Sequence, residues 1–408
     1  MKIALVTNAF PSVSETFIYN HAAGLRAAGL DVTVIAARPS RDGHMFSDFD
    51  GLKYDGPIVQ AILSGSAGTS LGRLAGHLSG AGARDIALWQ RARKLYGLNR
   101  RAFRAWLLAM PLAGFDIVHF EYSGLAIAWI DALPLLAGSR LVTSCRGAAE
   151  QITPLAVPER AGALRKIFGI VDRVHCVSED MRTTCLRYGL ELDRAFINRP
   201  AIDISRFKRS TPYVARTAGP YRLLSTGRLH WKKGVEFALI AVRALVDQGL
   251  DVQYEIIGAG HDEEHLRFSA DDLRLNDHVV FAGKRSSTEV RAALERCDVY
   301  LLPSLSEGLS NAALEAMAME LPVVTTTAGG MAEAITDGVD GIIVPPRAPD
   351  RMAAAVSALL ADGPRRVAMG RAARGRLEEA FTLERQIRVY LAEYDVLGRS
   401  PPRASGSC

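Results

Sequence analysis

Residues 299–333 constrain the fold more than any other stretch. An apolar run over 299–302 ends at Pro303 and opens into a polar loop of Ser304, Leu305, Ser306, Glu307 and Gly308. The spacing predicts a helix beginning near Ser310, whose hydroxyl oxygen accepts from a first-turn N–H. Leu314 and Met317 share one face of it, and Ala313, Ala316 and Ala318 keep it slim. Leu321, Pro322 and the β-branched run 323–327 read as the next buried strand, with Ala328, Gly329 and Gly330 as a turn at its end. Strand, loop, helix, strand and glycine turn make one parallel α/β unit, and such units bind ligands outside the carboxyl ends of their strands. Glu307 stands in the loop and Glu315 eight residues later on the helix. A phosphorylated ligand is expected there.

The same grammar runs along the chain. A buried strand over 3–6 is followed by a helix from Glu15 to Ala27, with Ser12 and Glu15 as its capping box, and by a second strand over 32–36. The spacing is Rossmann-like, yet the first loop has no G-x-G-x-x-G, so a dinucleotide cradle lacks its main warrant. Glu15 and Thr16 are either acceptor contacts in a loop open to a bulky ligand or residues that only start the helix. Further strand-to-loop junctions occur at 115–121, 141–147 and 174–179. His119 and Glu121, two apart, share a side if the strand continues that far, and both are candidates for contact with the acceptor. No third ligand of metal-type spacing accompanies them. Arg146 is a candidate for phosphate or sugar oxygens, and Cys145 has no assignable base that would make it a nucleophile. Residues 38–82 are polar or glycine-rich and define no element.

A polar linker over 208–220 suggests the domain boundary. The expected organisation is a first Rossmann-like domain over 1–210 and a second over 211–380. A helix over 381–397 is expected to pack back on the first, and the tail 398–408 to be loose. In the second domain, strands over 221–225, 252–257, 279–281 and 342–344 alternate with helices.

With 408 residues, 49% of them apolar, the chain is long enough for two folded domains. Its five cysteines have neither metal nor disulfide spacing and read as reduced thiols of a cytoplasmic protein. The start is too short for a secretory leader, and no apolar run approaches the roughly 20 residues that cross a membrane. Charge is uneven: residues 1–210 carry 26 Lys/Arg against 18 Asp/Glu, the remainder 23 against 26. The first half therefore faces something anionic. Within it, residues 84–110 set seven Arg and Lys against Asp85 alone, interleaved with Trp89, Tyr96, Phe103 and Trp106. This stretch either lies on the anionic cytoplasmic face of an inner membrane or is a domain helix with a solvated basic side. No nucleic-acid-binding module surrounds it.

At the strand ends of the second half, Gly227, Arg228, Lys233, Gly258, Gly260, Glu307, Gly308 and Glu315 converge. Glycine lets backbone approach phosphate, and Arg and Lys neutralise it. Amides of Gly308, Leu309 and Ser310 at a helix start favour anions. One carboxylate for a sugar and another for ribose, either side of a diphosphate, suit a nucleotide-sugar.

G-R-L-H-W-K-K-G at 227–234, G-A-G at 258–260 and S-E-G-L-S-N-A-A-L-E-A-M-A at 306–318 resemble the signature of the retaining GT-B glycosyltransferases of family GT4. F-P-S-V-S-E-T-F-I at 10–18 resembles the bacterial subgroup that builds exopolysaccharide, the colanic acid and amylovoran type. The resemblance implies two Rossmann-like α/β domains facing each other across a cleft. It implies a UDP- or GDP-sugar donor, a glycan or polyprenyl-diphosphate-linked saccharide acceptor, and no required cofactor or metal. By it, Arg228 and Lys233 would hold the diphosphate, Glu315 the ribose, Glu307 with the 308–310 amides the sugar, and Lys284 the base. Many relatives carry His-Gly-x-Asp where this chain has Cys145, Arg146, Gly147 and Ala148, and His-x-His where it has His119, Phe120 and Glu121. Three other readings stay open on the sequence: a GT-B nucleotide-sugar epimerase, a dehydrogenase, and a non-catalytic nucleotide-sugar-binding subunit.

Overall fold

The computed structural model describes residues 1–10, 15–39, 53–54 and 82–399, and among these every pairing between strands is parallel and the strands form two sheets. The expected cap at Ser12 lies outside the described residues, as do most of 38–82 and the tail from 400. The first sheet has the order β3-β2-β1-β4-β5-β6-β7. It is built from β1 (Lys2–Phe10), β2 (Asp31–Pro39), β3 (Lys53–Tyr54), β4 (Ile117–Phe120), β5 (Arg140–Cys145), β6 (Arg173–Cys176) and β7 (Ala195–Ile197). Parallel strands covered on both faces read as unbroken apolar runs. Ile3, Ala4, Leu5 and Val6 accordingly have no exposed surface.

The second sheet has the order β10-β9-β8-β11-β12-β13. Its strands are β8 (Tyr221–Thr226), β9 (Val252–Ile257), β10 (Val279–Gly283), β11 (Val299–Leu302), β12 (Val323–Thr326) and β13 (Ile342–Val344). Helix Val235–Asp247 turns Val235, Leu239, Val242 and Leu245 onto one stripe, which packs with Met352, Val356 and Leu359. In both sheets the strand order reverses at the first strand of the set, between β1 and β4 and between β8 and β11. Ligands of open α/β sheets bind at the carboxyl ends beside such a reversal.

The chain divides into two compact units. One holds residues 1–176, 182–198 and the chain from 387 on; the other holds 177–181 and 199–386. The division falls before the expected linker because 199–207 packs into the second unit rather than the first. Ile202 and Phe207 are buried in the second unit's core. Arg374 there donates to the carbonyls of Phe207 and Ile204, at 2.7 and 3.2 Å. Helix Leu383–Arg399 gives Tyr390, Tyr394 and Leu397 to the core of the first unit, beside Ile3, Leu5 and Ile18.

Candidate active site

In the second unit, β8 ends at Thr226 and the chain runs through Gly227 and Arg228 into a single 3-10 turn, Trp231–Lys233. Gly234 then takes φ +63°, and a Cβ there would stand 2.1 Å from the Pro303 carbonyl oxygen. Only glycine permits that approach. The approach sets the 3-10 turn against the end of β11, and the Leu305 N–H fastens the two by donating to the Lys232 carbonyl at 2.7 Å. Lys233 and Glu307 thereby meet as an ion pair, with 19% and 10% of their side chains exposed. The Ser304 hydroxyl donates to the same Glu307 oxygen at 2.9 Å. Lys232, close by, has its pKa lowered by burial and by the cations Lys233 and Arg228, with Glu307 opposing them.

Gly227, Arg228 and Lys233 line a recess at the ends of β8 and β11, floored by Leu301, Leu302 and Pro303. Arg228 is exposed. Among the described residues no hydrogen-bond acceptor or carboxylate engages its guanidinium. Gly258 and Gly260 serve first the approach of one loop to another. A Cβ at Gly258 would lie 1.8 Å from the Gly227 carbonyl oxygen, and one at Gly260 1.9 Å from that of Leu229. Ser310 caps helix Asn311–Ala318 by accepting from Ala313 N–H. Leu309 and Ser310 are buried, and the Gly308 carbonyl accepts from Gly330 N–H at 2.7 Å. Glu315 is half-buried on that helix, and burial pushes its carboxyl up to about 7, with Arg206 opposing. No hydrogen bond reaches its carboxyl among the described residues. Lys284 is exposed just past β10.

The candidates of the first unit are placed differently. Strand β4 ends at Phe120, one residue short of Glu121, and His119 and Glu121 are both wholly buried. The two ring nitrogens of His119 meet the Tyr394 hydroxyl at 2.6 Å and the Ser144 hydroxyl at 2.8 Å. Burial lowers its pKa to about 3. Glu121 binds His21 Nδ1 at 2.7 Å and forms an ion pair with Arg146. Burial works against its charge, but His21 and Arg146 outweigh that and hold the carboxyl well below its usual range. Arg146 also donates to the Glu121 carbonyl at 2.9 Å and lies over the Phe17 ring at 4.3 Å. Burial opposes its charge and Glu121 overrides that, so its pKa is raised. The expected acceptor contacts from His119 and Glu121 therefore give way to an interior polar network, and Arg146 is largely committed to it.

Glu15 precedes helix Thr16–Ala27 without capping it through its side chain. It faces the Tyr122 hydroxyl, whose pKa is raised by burial and by Glu15. Cys145 is a buried free thiol pushed by burial up to about 12, no state for a nucleophile. No group of three His, Cys, Asp or Glu among the described residues has metal-binding geometry. Reasoning along the sequence missed His21, Tyr390 and Tyr394 as partners of His119 and Glu121. The signal in the sequence was the stripe Ile387, Tyr390, Tyr394 and Leu397 at three- and four-residue spacing on an amphipathic last helix.

Residues 84–110 form two helices, Ala83–Tyr96 and Arg100–Ala109. Trp89, Phe103 and Trp106 pack on one another with ring centroids 5.5 to 6.4 Å apart. Arg93, Lys94, Arg100 and Arg104 are exposed, as are Ile86, Leu95 and Leu98. No helix among the described residues is long and apolar enough to cross a membrane.

Two family models match the chain: a glycosyl transferase 4-like domain over residues 14–200 and glycosyl transferases group 1 over 213–376. The amylovoran biosynthesis glycosyltransferase AmsK of Erwinia amylovora is 28% identical over 398 residues, which span 93% of this chain and 96% of that protein. WcaL of Escherichia coli (strain K12), a glycosyltransferase assigned to colanic acid biosynthesis, is 28% identical over 362 residues, 85% of this chain and 87% of WcaL. Among solved structures, Anabaena HepE in complex with UDP and glucose superposes with a TM-score of 0.74 at 16% identity, covering 97% of this chain and all of that one. With a parallel α/β sheet in each half and both family domains in order, the chain belongs to the GT4-like, group 1 glycosyltransferases and has their GT-B fold.

Proposed function

We propose that this glycosyltransferase moves a sugar, with retention of configuration, from a nucleoside-diphosphate sugar to a hydroxyl of a glycan or lipid-linked saccharide in bacterial surface polysaccharide synthesis. The observation that carries the donor site is the convergence of Gly227, Arg228, Lys233 and Glu307 at the ends of β8 and β11, where the strand order reverses. Arg228 and Lys233 bind the diphosphate, and Glu315 accepts from the ribose hydroxyls. Glu307, with amides at 308–310, orients the sugar, and Lys284 stands by the base. Gly227, Gly258 and Gly260 keep the loops thin enough for that approach.

As the bond to the anomeric carbon breaks, negative charge grows on the departing phosphate, and Lys233 and Arg228 stabilise that charge. A phosphate oxygen takes the proton of the incoming hydroxyl, which arrives on the face the leaving group vacates. Of the first-unit candidates, Glu15, Thr16 and the exposed edge of Arg146 remain for acceptor contact. The likeness to AmsK and WcaL supports an exopolysaccharide acceptor. HepE was solved with UDP and glucose, which makes UDP-sugars the first donors to try.

The test is a thermal-shift screen of UDP-, GDP- and ADP-sugars, followed by transfer assays with the donor that stabilises. A chain that no nucleotide-sugar stabilises would refute the reading. The basic, apolar-studded surface at 84–110 supports peripheral contact with an anionic bilayer. Flotation should then occur with vesicles containing phosphatidylglycerol and not with phosphatidylcholine alone; equal flotation with both, or none, would count against it.

A further inference from the structure

The Lys233–Glu307 ion pair joins two groups that the donor-site reading gives to different parts of one ligand, the phosphate and the sugar. We propose that this pair makes the site discriminate an intact nucleotide-sugar from the free nucleoside diphosphate that the reaction leaves behind. The inference rests on the donor-site reading above.

The pair is built in rather than incidental. Both partners are mostly buried, unlike a surface pair of long, mobile side chains. Glu307 is held from behind by the Ser304 hydroxyl. The segment bearing Lys233 is pinned to the segment bearing Glu307 by the Leu305-to-Lys232 hydrogen bond and by the contact of Gly234 with Pro303. Arg228, by contrast, is exposed without a carboxylate, ready for phosphate.

A phosphate oxygen that takes Lys233 competes with Glu307 for the same ammonium. The carboxylate, mostly buried, then shares its cation with an anion and faces that anion directly. A sugar attached to the phosphate relieves that state, because its hydroxyls are donors and the carboxylate is a strong acceptor. A free nucleoside diphosphate brings no such donors, and it must compete with Glu307 for Lys233. The intact donor therefore gains affinity relative to the product, which favours exchange of spent nucleotide for fresh donor.

Glu307→Gln keeps the shape and hydrogen-bonding capacity and removes the charge. Titration calorimetry with UDP, GDP and ADP, each beside its glucose conjugate, gives both affinities for wild type and variant. The expected result is free diphosphate binding tighter by about fivefold in the variant, with the preference for the conjugate reduced or lost. A merely structural role for Glu307 would weaken both ligands together. Ser304→Ala, which loosens Glu307 without removing it, should tighten the free diphosphate by a smaller factor, and it serves as the readout if Glu307→Gln fails to fold. If wild type binds a nucleotide and neither variant binds its diphosphate more tightly, the discrimination is overturned and the donor site stands. If wild type binds none of the three nucleotides in either form, both fall.

Discussion

Glu121→Gln takes one charge from a fully buried position and leaves Arg146, with only 14% of its side chain exposed, without its carboxylate. Breaking a buried ion pair from one side typically destabilises by about 3–5 kcal/mol, because the remaining charge has neither water nor partner. Two features of this site push towards the lower end. The amide still accepts one hydrogen bond, and the Glu121 backbone carbonyl continues to take Arg146 at 2.9 Å. A loss of about 3 kcal/mol corresponds to a fall in Tm of roughly 6–12 °C for a domain near 200 residues. Glu121 has a depressed folded pKa, so its contribution is complete above the unfolded value of about 4.3 and is lost only as pH falls through the folded one. The loss in the variant should therefore be the same at pH 6 and pH 8. Differential scanning calorimetry of wild type, Glu121→Gln, Arg146→Met and the double variant completes the cycle. The double variant should recover about 2 kcal/mol relative to additivity, since neither charge is then left alone. A single-variant loss under about 1 kcal/mol, or strict additivity, would refute the interior ion pair as a stabilising unit.

Lys233→Ala should lower turnover by about 10²–10³-fold, the typical effect of losing one preorganised donor to developing charge, and should also lower Tm, because it leaves the mostly buried Glu307 without its cation; near-parental turnover in the folded variant would remove Lys233 from the mechanism. In the proposed donor site Glu315 is the stronger acceptor for ribose hydroxyls when ionised, and burial pushes its carboxyl up to about 7. Donor affinity should accordingly rise from pH 6 to pH 8 in wild type and be flat in Glu315→Gln, and identical profiles would exclude that role. His119 is held neutral in the fold to about pH 3, whereas an unfolded histidine protonates near 6.5. The unfolded chain then binds the extra proton, so stability should fall as pH drops below about 6.5; a Tm profile as steep in His119→Asn would show that other groups are responsible.

The strands at 299–302 and 342–344 were legible because parallel, doubly covered strands are local apolar runs. Their helices were legible because a buried stripe repeats every three or four residues. The motif at 306–318 was equally legible, since a cap, a glycine and two glutamates eight residues apart are all local features. The units divide about ten residues before the expected boundary, because nothing local shows that Ile202 and Phe207, which precede the linker, belong to the second core rather than the first.

Local pattern therefore decided the α/β class, the two-sheet repetition and the family to which the chain belongs. The destination of polar side chains was decided elsewhere. His119 is satisfied by a tyrosine 275 residues further on, and Lys233 by a carboxylate 74 residues away. Spacing along a chain carries no trace of such pairings. They follow from burial, which obliges each polar group to find a partner wherever the fold brings one near.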